Sequence, residues 1–301
     1  MRITRSMMND QVQWNISRIL RDFGKLQNQM SSGKKVEYPS DDPVVALRAS
    51  DMASKLRQFE QYRRNAEMAN NYLGSFDSAV QEYISLLHRV KELVVKGASG
   101  TLSDADRMAI VTELREIQEH IVTIANTQVA GRYIFSGTSS DVPPVTKDEN
   151  GRYVLGLPLG TKNLDTVVLG QRVEYTLTAD EVFVTQSGES IFKAIDRIVE
   201  HLEDEETAGV LLNSADIASV DRALERALEA TAKIGGTTRL LEYLGNRLDD
   251  LQLYSIEVLS KEQDVDIAEV VSKLATKQAA LQAALKSAAQ VLQPTLLDFL
   301  R

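Results

Sequence analysis

The sequence predicts a mainly α protein, a rod of long helices with coiled-coil helices at both chain ends and a small β domain inserted between them. Three observations predict it. Apolar residues recur at alternating spacings of three and four through most of the 301 residues. Aromatic residues make up only 6% of the chain, which suits helices packed side by side better than a compact globule. One central stretch, from about Gly137 to Gln186, loses the helical spacing and carries short Val, Leu and Tyr runs divided by turn residues.

The first helix is marked by Val12, Ile16, Ile19, Phe23, Leu26 and Met30, a seam at the heptad period. Gly33 ends it, and Lys34 to Ser40 form a non-helical joint containing Pro39. Asp41, Asp42 and Pro43 read as a helix start, an acidic cap with proline in the first turn. The period then continues to Lys96, a reach of roughly 80 Å at 1.5 Å per residue. Ser103 and Asp106 open a third helix, expected to run to about Gly131.

In the insert, Asn150-Gly151 signals a hairpin turn. Strands are expected at Arg152 to Leu155, Val167 to Leu169, Val173 to Leu177 and Val182 to Val184. Helical spacing resumes at Ile191, Ile195, Ile198 and Leu202, and the acidic run Glu203 to Glu206 begins a loop. A second very long pattern spans Ile217 to Val258, with a kink expected at Gly235-Gly236. Asp266 with Glu269 caps a final helix carrying Ile267, Val271, Leu274, Leu281, Leu285, Leu292, Leu296 and Phe299. The expected domains are 1–40 with 265–301 as a terminal coiled coil, 41–136 with 187–264 as a long-helix rod, and 137–186 as the β-rich insert.

Composition excludes several functions. The 43 acidic and 34 basic residues give a net charge of −9, and no basic segment offsets it, so neither nucleic acid nor an anionic membrane is an expected partner. There is no cysteine, hence no disulfide, thiolate zinc site or cysteine nucleophile. The N-terminus lacks the apolar run of a cleaved secretory signal. His88, His120 and His201 have no second ligand at helical spacing. Asp41-Asp42 is explained by capping, and Glu203 to Glu206 lacks further oxygen ligands at loop spacing. Gly33-Lys34 lacks the earlier glycine and the Ser/Thr of a phosphate loop. No enzyme activity, metal or cofactor is expected.

The ends carry the informative anomaly. Two helices made from the first and last thirty-odd residues can bury one stripe each and have no third layer. Their flanks are rich in amides: Gln11, Gln13, Asn15, Gln27, Asn28 and Gln29 at one end, Gln278, Gln282, Gln290 and Gln293 at the other. A pair of this size buries too little apolar surface to offset its ordering entropy. Neighbouring copies are the expected source of the missing stability.

The same residues resemble the flagellin superfamily, and its hook–filament junction branch in particular. Met1-Arg2-Ile3-Thr4, Gln29-Met30-Ser31-Ser32-Gly33-Lys34-Lys35 with Asp41-Asp42-Pro43, and Ala130-Gly131-Arg132-Tyr133-Ile134-Phe135 are similar to its N-terminal motifs. Leu244-Gly245-Asn246-Arg247-Leu248, Asp266-Ile267-Ala268-Glu269 and Leu281-Gln282-Ala283 follow in family order. The resemblance implies a structural subunit of the bacterial flagellum that joins hook to filament and polymerises through its terminal helices. It further implies export without a cleaved signal to an extracellular junction. The implied partners are copies of itself, an adjacent longer hook-associated protein, flagellin and a dedicated export chaperone. His88-Arg89-Val90-Lys91-Glu92-Leu93 is similar to a flagellin segment at subunit contacts, which makes Arg89 and Leu93 possible contact residues. A filament flagellin and an intracellular coiled-coil scaffold are the alternatives.

Overall fold

A computed structural model describes residues 5–98, 102–158, 161–204 and 215–292. The chain divides into two compact units, one formed by Phe59–Asp249 and the other by Met1–Gln58 with Asp250–Arg301. Two long helices, α2 (Pro43–Gly97) and α6 (Ile217–Gln263), contribute residues to both. These units are cut differently from the three domains expected above, because the insert shares the core of the helices around it.

The central unit has that core. Apolar positions of α2, α3 (Asp104–Ala125), α5 (Ile191–Glu203) and α6 converge with residues of the insert in one buried cluster. An edge-to-face chain of rings runs through it: Phe76 to Phe135 at 5.1 Å, Phe135 to Phe183 at 5.2 Å and Phe183 to Tyr83 at 4.9 Å. Two of these rings, Phe135 and Phe183, belong to segments between α3 and α5, so the helices close over the insert.

Local chemistry explains the helix ends. Ser103 accepts the Asp106 N–H and Ser190 the Lys193 N–H, capping α3 and α5. At α2, Asp42 accepts from the N–H groups of Val44 and Val45. The α3 helix stops at Ala125 rather than near Gly131. The chain there turns through β1 (Gln128–Val129) and β2 (Arg132–Tyr133), and Ala130 and Gly131 both have positive φ, which a helix cannot contain.

Within the insert, β3 (Val145–Lys147) pairs with β4 (Tyr153–Leu155) around the Asn150-Gly151 turn, with Gly151 at φ +77°. Strand β5 (Asp165–Val168) pairs with β6 (Gln171–Glu174). Each pairing is antiparallel and isolated, so the described insert is a set of hairpins and not one sheet. Of the strand expected at Val182 to Val184, Val184 is extended and pairs with Ser190 in an isolated antiparallel bridge. The first two residues are instead the end of a short helix, α4 (Ala179–Phe183). Asp180 and Glu181 lie in its first turn, where the helix dipole favours negative charge. The expected kink at Gly235-Gly236 is absent as well: α6 is one helix from Ile217 to Gln263, held by Ile234, Leu241, Leu244 and Leu248 in the core.

The other unit is built on α1 (Arg5–Ser32) and α7 (Ile267–Leu292), which pack along each other. Gly33, at φ +69°, ends α1 in the left-handed conformation that favours glycine. Asp266 caps α7 by accepting from the N–H groups of Ala268 and Glu269. The two joints are hydrogen-bonded to each other. The Lys35 N–H donates to the Gln263 carbonyl at 2.6 Å, and the Val265 N–H donates to the Gly33 carbonyl at 3.0 Å.

Candidate assembly surface

The terminal unit lacks what the central unit has. None of the residues in the continuous buried cluster lies before Ala66 or after Leu248. Among the described residues of the terminal unit, the buried apolar side chains are Val36, Ala49, Val270 and Ala288. Meanwhile large apolar side chains stand in solvent along α1 (Met7, Met8, Trp14, Leu20) and α7 (Ile267, Val271, Leu285). Val44, Leu47, Leu253, Tyr254 and Ile256 extend that exposure along the unit's share of α2 and α6.

On α1 the seam read from sequence faces inward. Val12, Ile16, Ile19, Phe23 and Leu26 are half-buried, and Met30, the last of the series, is exposed. Gln29 and Leu26 face Ser272, Lys273 and Thr276 of α7 across a cleft of about 460 Å³. Asp22 and Lys277 close one of its sides with an ion pair at 2.6 Å. The lysine hydrogen bond holds the Asp22 carboxyl below its usual value.

On α7 the single seam expected from sequence separates into two stripes. The inner one is Val270, Leu274, Lys277, Leu281, Ala284 and Ala288, spaced four, three, four, three and four, all buried or half-buried. The outer one holds Ile267, Val271 and Leu285, each about half exposed. Leu274 and Leu281 therefore belong with α1, whereas Ile267, Val271 and Leu285 face away from it. Sequence reasoning places Ala288 on the final helix's apolar series but misses Val270, Ala284 and the stem of Lys277. Alanine-rich α7 offers apolar side chains on most of its circumference, so the choice of stripe is decided by α1. Leu292 ends the described part of α7, and Leu296 and Phe299 lie outside the described residues.

The other proposed contacts divide. Leu93 is 3% exposed and packs in the chain's own core, which leaves it no surface for a neighbour. Arg89 is half exposed and bonded to Glu113 at 2.6 Å and Glu92 at 3.0 Å. Trp14 is more than half exposed, with the Arg18 guanidinium 4.8 Å above its ring. His201, read from sequence as an ordinary helix position, has a specific partner: its Nδ1 lies 2.7 Å from the fully buried Asp216. Arg197 bonds the same carboxylate at 2.9 Å and also bonds Glu189 and Ser219. The partner of His201 lies fifteen residues away in the sequence, beyond any helical spacing, so no periodicity reveals it. Among the described residues no group of three or more His, Asp or Glu could hold a metal ion.

What this geometry offers is surface for other helices. Residues 3–140 match the family profile described as the bacterial flagellin N-terminal helical region. The chain is 28% identical to flagellar hook-associated protein 3 of Escherichia coli K12, over 92% of this chain and 93% of that protein. The chain is similar to the flagellin superfamily. Hook-associated protein 3 of Salmonella typhimurium LT2 is also 28% identical, with the same coverage of both chains. A putative flagellar hook-associated protein from Vibrio parahaemolyticus, of known structure, shares the fold with a TM-score of 0.67. It is 24% identical and covers 74% of this chain and 100% of its own. The matched residues 3–140 include α1, the first joint and the Asp42 cap of α2, all parts of the terminal unit.

Proposed function

We propose that this chain is a structural subunit of the bacterial flagellum that joins hook to filament as a hook-associated junction protein. Hook-associated protein 3 relatives aligned across more than nine-tenths of the chain support that position. The single observation that carries the mechanism is the coreless terminal unit. Among the described residues nothing covers its outer stripe, which leaves that stripe for neighbouring helices. Burying one Val, Ile or Leu side chain contributes about 1.5–3 kcal/mol, so three such side chains per copy, repeated around a ring, make assembly cooperative.

The inner seam (Val12, Ile16, Ile19, Phe23, Leu26 with Leu274 and Leu281) holds α1 to α7. Ile267, Val271, Leu285 and exposed Trp14, Leu20 and Met30 meet helices of neighbouring copies. Arg89 is a polar contact at the edge of the central unit. The partners are copies of this chain, a longer hook-associated protein on the hook side and flagellin on the filament side, with an export chaperone beforehand. The chain leaves the cell without a cleaved signal and has no catalytic role. Among the described residues no helix is long and apolar enough to cross a membrane.

Immunogold labelling of an epitope-tagged chain on isolated flagella tests this reading. Gold confined to the point where hook meets filament is the expected result. Labelling along the whole filament would make the chain a filament flagellin, and cytoplasmic label with none on flagella would make it an intracellular scaffold.

A further inference from the structure

The seam that pairs α1 with α7 does not define its own register. Moving α1 by seven residues places Ile19 where Val12 was, Phe23 where Ile16 was, Leu26 where Ile19 was and Met30 where Phe23 was. Every exchange is apolar for apolar. On α7 the same shift exchanges Leu274 with Leu281, and Lys277 with Ala284. In a long coiled coil, register is set by rare polar positions or by features outside the seam. Within the pair, one such feature is the Asp22–Lys277 ion pair, which is solvated on both partners and therefore worth little.

The stronger feature sits at the base. Three hydrogen bonds tie the joint after α1 to the joint before α7, and a fourth braces the first joint against α1. The Lys35 N–H donates to Gln263 O and the Val265 N–H to Gly33 O. The Gln263 side-chain amide donates to Val36 O at 3.4 Å, and that of Gln29 donates to Lys35 O at 2.9 Å. Lys34 and Asp264 are the antiparallel pair enclosed by the two backbone bonds. Val36 is buried beside them, and Asp41 is held by Lys25 of α1 at 2.9 Å. Since Ser32 ends α1 and Ile267 begins α7, the clasp fixes both helices within three residues of their ends. A slip of one heptad would shift one helix by about 10 Å along the other, which the clasp cannot accommodate while it is formed.

We infer that this backbone clasp between residues 33–36 and 263–265 is the registration device of the terminal helix pair. It decides which residues of the two seams stand opposite each other and therefore how the outer stripe of α7 is placed along α1. The clasp itself does not depend on the assembly reading; only its consequence for neighbouring copies does.

The absence of native cysteine makes the test direct. Lys34 and Asp264 occupy a non-hydrogen-bonded antiparallel position, where Cα atoms are about 4.5 Å apart, within disulfide range. The full-length Lys34→Cys, Asp264→Cys chain should oxidise to an intramolecular disulfide in near-quantitative yield. Failure to form it would overturn the clasp. Register is then read in two further chains, Asp22→Cys with Lys277→Cys, and Asp22→Cys with Ala284→Cys, one heptad off. Both remove the ion pair, leaving the clasp as the variable. With the clasp intact, the 22–277 disulfide should form and the 22–284 disulfide should stay at background. Lys35→Pro deletes one clasp donor, and Gly33→Val forces a branched side chain into positive φ. In either background the 22–284 disulfide should rise to the level of the 22–277 one. Exclusive 22–277 bonding in both backgrounds would overturn the inference, as would equal yields with the clasp intact. Far-UV circular dichroism on the same samples checks that the helices persist.

Discussion

Val270 and Val271 are neighbours in sequence and opposites in environment. The first is 3% exposed against α1, and the second is 48% exposed on the outer face of α7. One residue step of a helix turns the side chain by about 100°, and here that step separates a side chain satisfied within the chain from one that is not. The same division runs along the whole helix, from Ile267 to Leu285. It makes the inner and outer stripes separately testable.

An inner substitution should act on the isolated chain. Leu281→Asp places a carboxylate in the half-buried seam of a pair that has no third layer. Hydrogen exchange of α1 and α7 should accelerate while the central unit keeps its protection, because α1 and α7 share no part of the central cluster. Unchanged exchange in both helices would show that the inner seam contributes nothing.

Tyr83 should be improved by losing its hydroxyl. The side chain is fully buried against Phe183, and among the described residues its oxygen has no hydrogen-bond partner. Burial also pushes its pKa up, since the anion is disfavoured there. Tyr83→Phe removes an unsatisfied polar atom and keeps the ring contact. The central unit should gain about 1 kcal/mol, read as a higher urea midpoint with unchanged slope. A lower midpoint would mean the hydroxyl is bonded in solution.

Asp216 should be costly to remove. It is buried between Arg197 and His201, and its loss leaves both donors without their acceptor. Arg197 is a third exposed and keeps its bonds to Glu189 and Ser219, which softens the effect. Asp216→Ala should therefore destabilise the central unit by about 3 kcal/mol, the low end for a broken buried pair. A melting curve that does not move would show that the network is solvated.

Acid should loosen the terminal pair only below the range in which ordinary carboxylates titrate. The folded pKa of Asp22 lies below its ordinary value of 3.8, chiefly through the Lys277 hydrogen bond. A depressed carboxylate contributes stability above its unfolded pKa and loses it as pH falls through the folded one. The contribution of this pair should thus be complete above the unfolded pKa of about 4 and be lost progressively as pH falls through the lower folded value. The Asp22→Asn chain should show a flatter acid limb for α1 and α7 exchange. An identical acid limb would remove Asp22 from the account.

Alanine at Gly235 and Gly236 should stabilise α6. Among the described residues, nothing beyond the adjacent residues and the helix's own backbone lies within 4 Å of a Cβ added at either position, and the helix is already continuous there. Each replacement should contribute about 1 kcal/mol through helix propensity. A loss of helical signal would show that the glycines serve a bend in solution.

Much of this was legible in the sequence because it rests on local signals. The seam of α1, the caps at Asp42, Ser103 and Asp266, and the Asn150-Gly151 turn each follow from a few adjacent residues. Val182 and Phe183 were read as strand from branched and aromatic composition, whereas Asp180 and Glu181 at a helix start decide otherwise. The α6 glycines were expected to kink a helix that tertiary packing keeps continuous. The split of α7 into two stripes, the joint-to-joint clasp and the Asp216 network all pair residues distant in sequence. No spacing rule finds such pairs. What the sequence did expose was the shortage of a third layer at the ends, and with it the need for neighbours.

The most direct test of the central claim is a chain carrying Val271→Asp and Leu285→Asp, both on the outer stripe, expressed in a strain lacking the native protein. Each carboxylate is solvated in the isolated chain, so the purified variant should be soluble with the melting of its central unit unchanged. At an interface the same groups would be buried without partners, at a cost of several kcal/mol per copy unless they protonate. Electron microscopy should then show hooks without filaments, with flagellin released into the medium. Filaments of normal number and length on cells carrying this variant would contradict the claim that the outer stripe of α7 is an assembly surface.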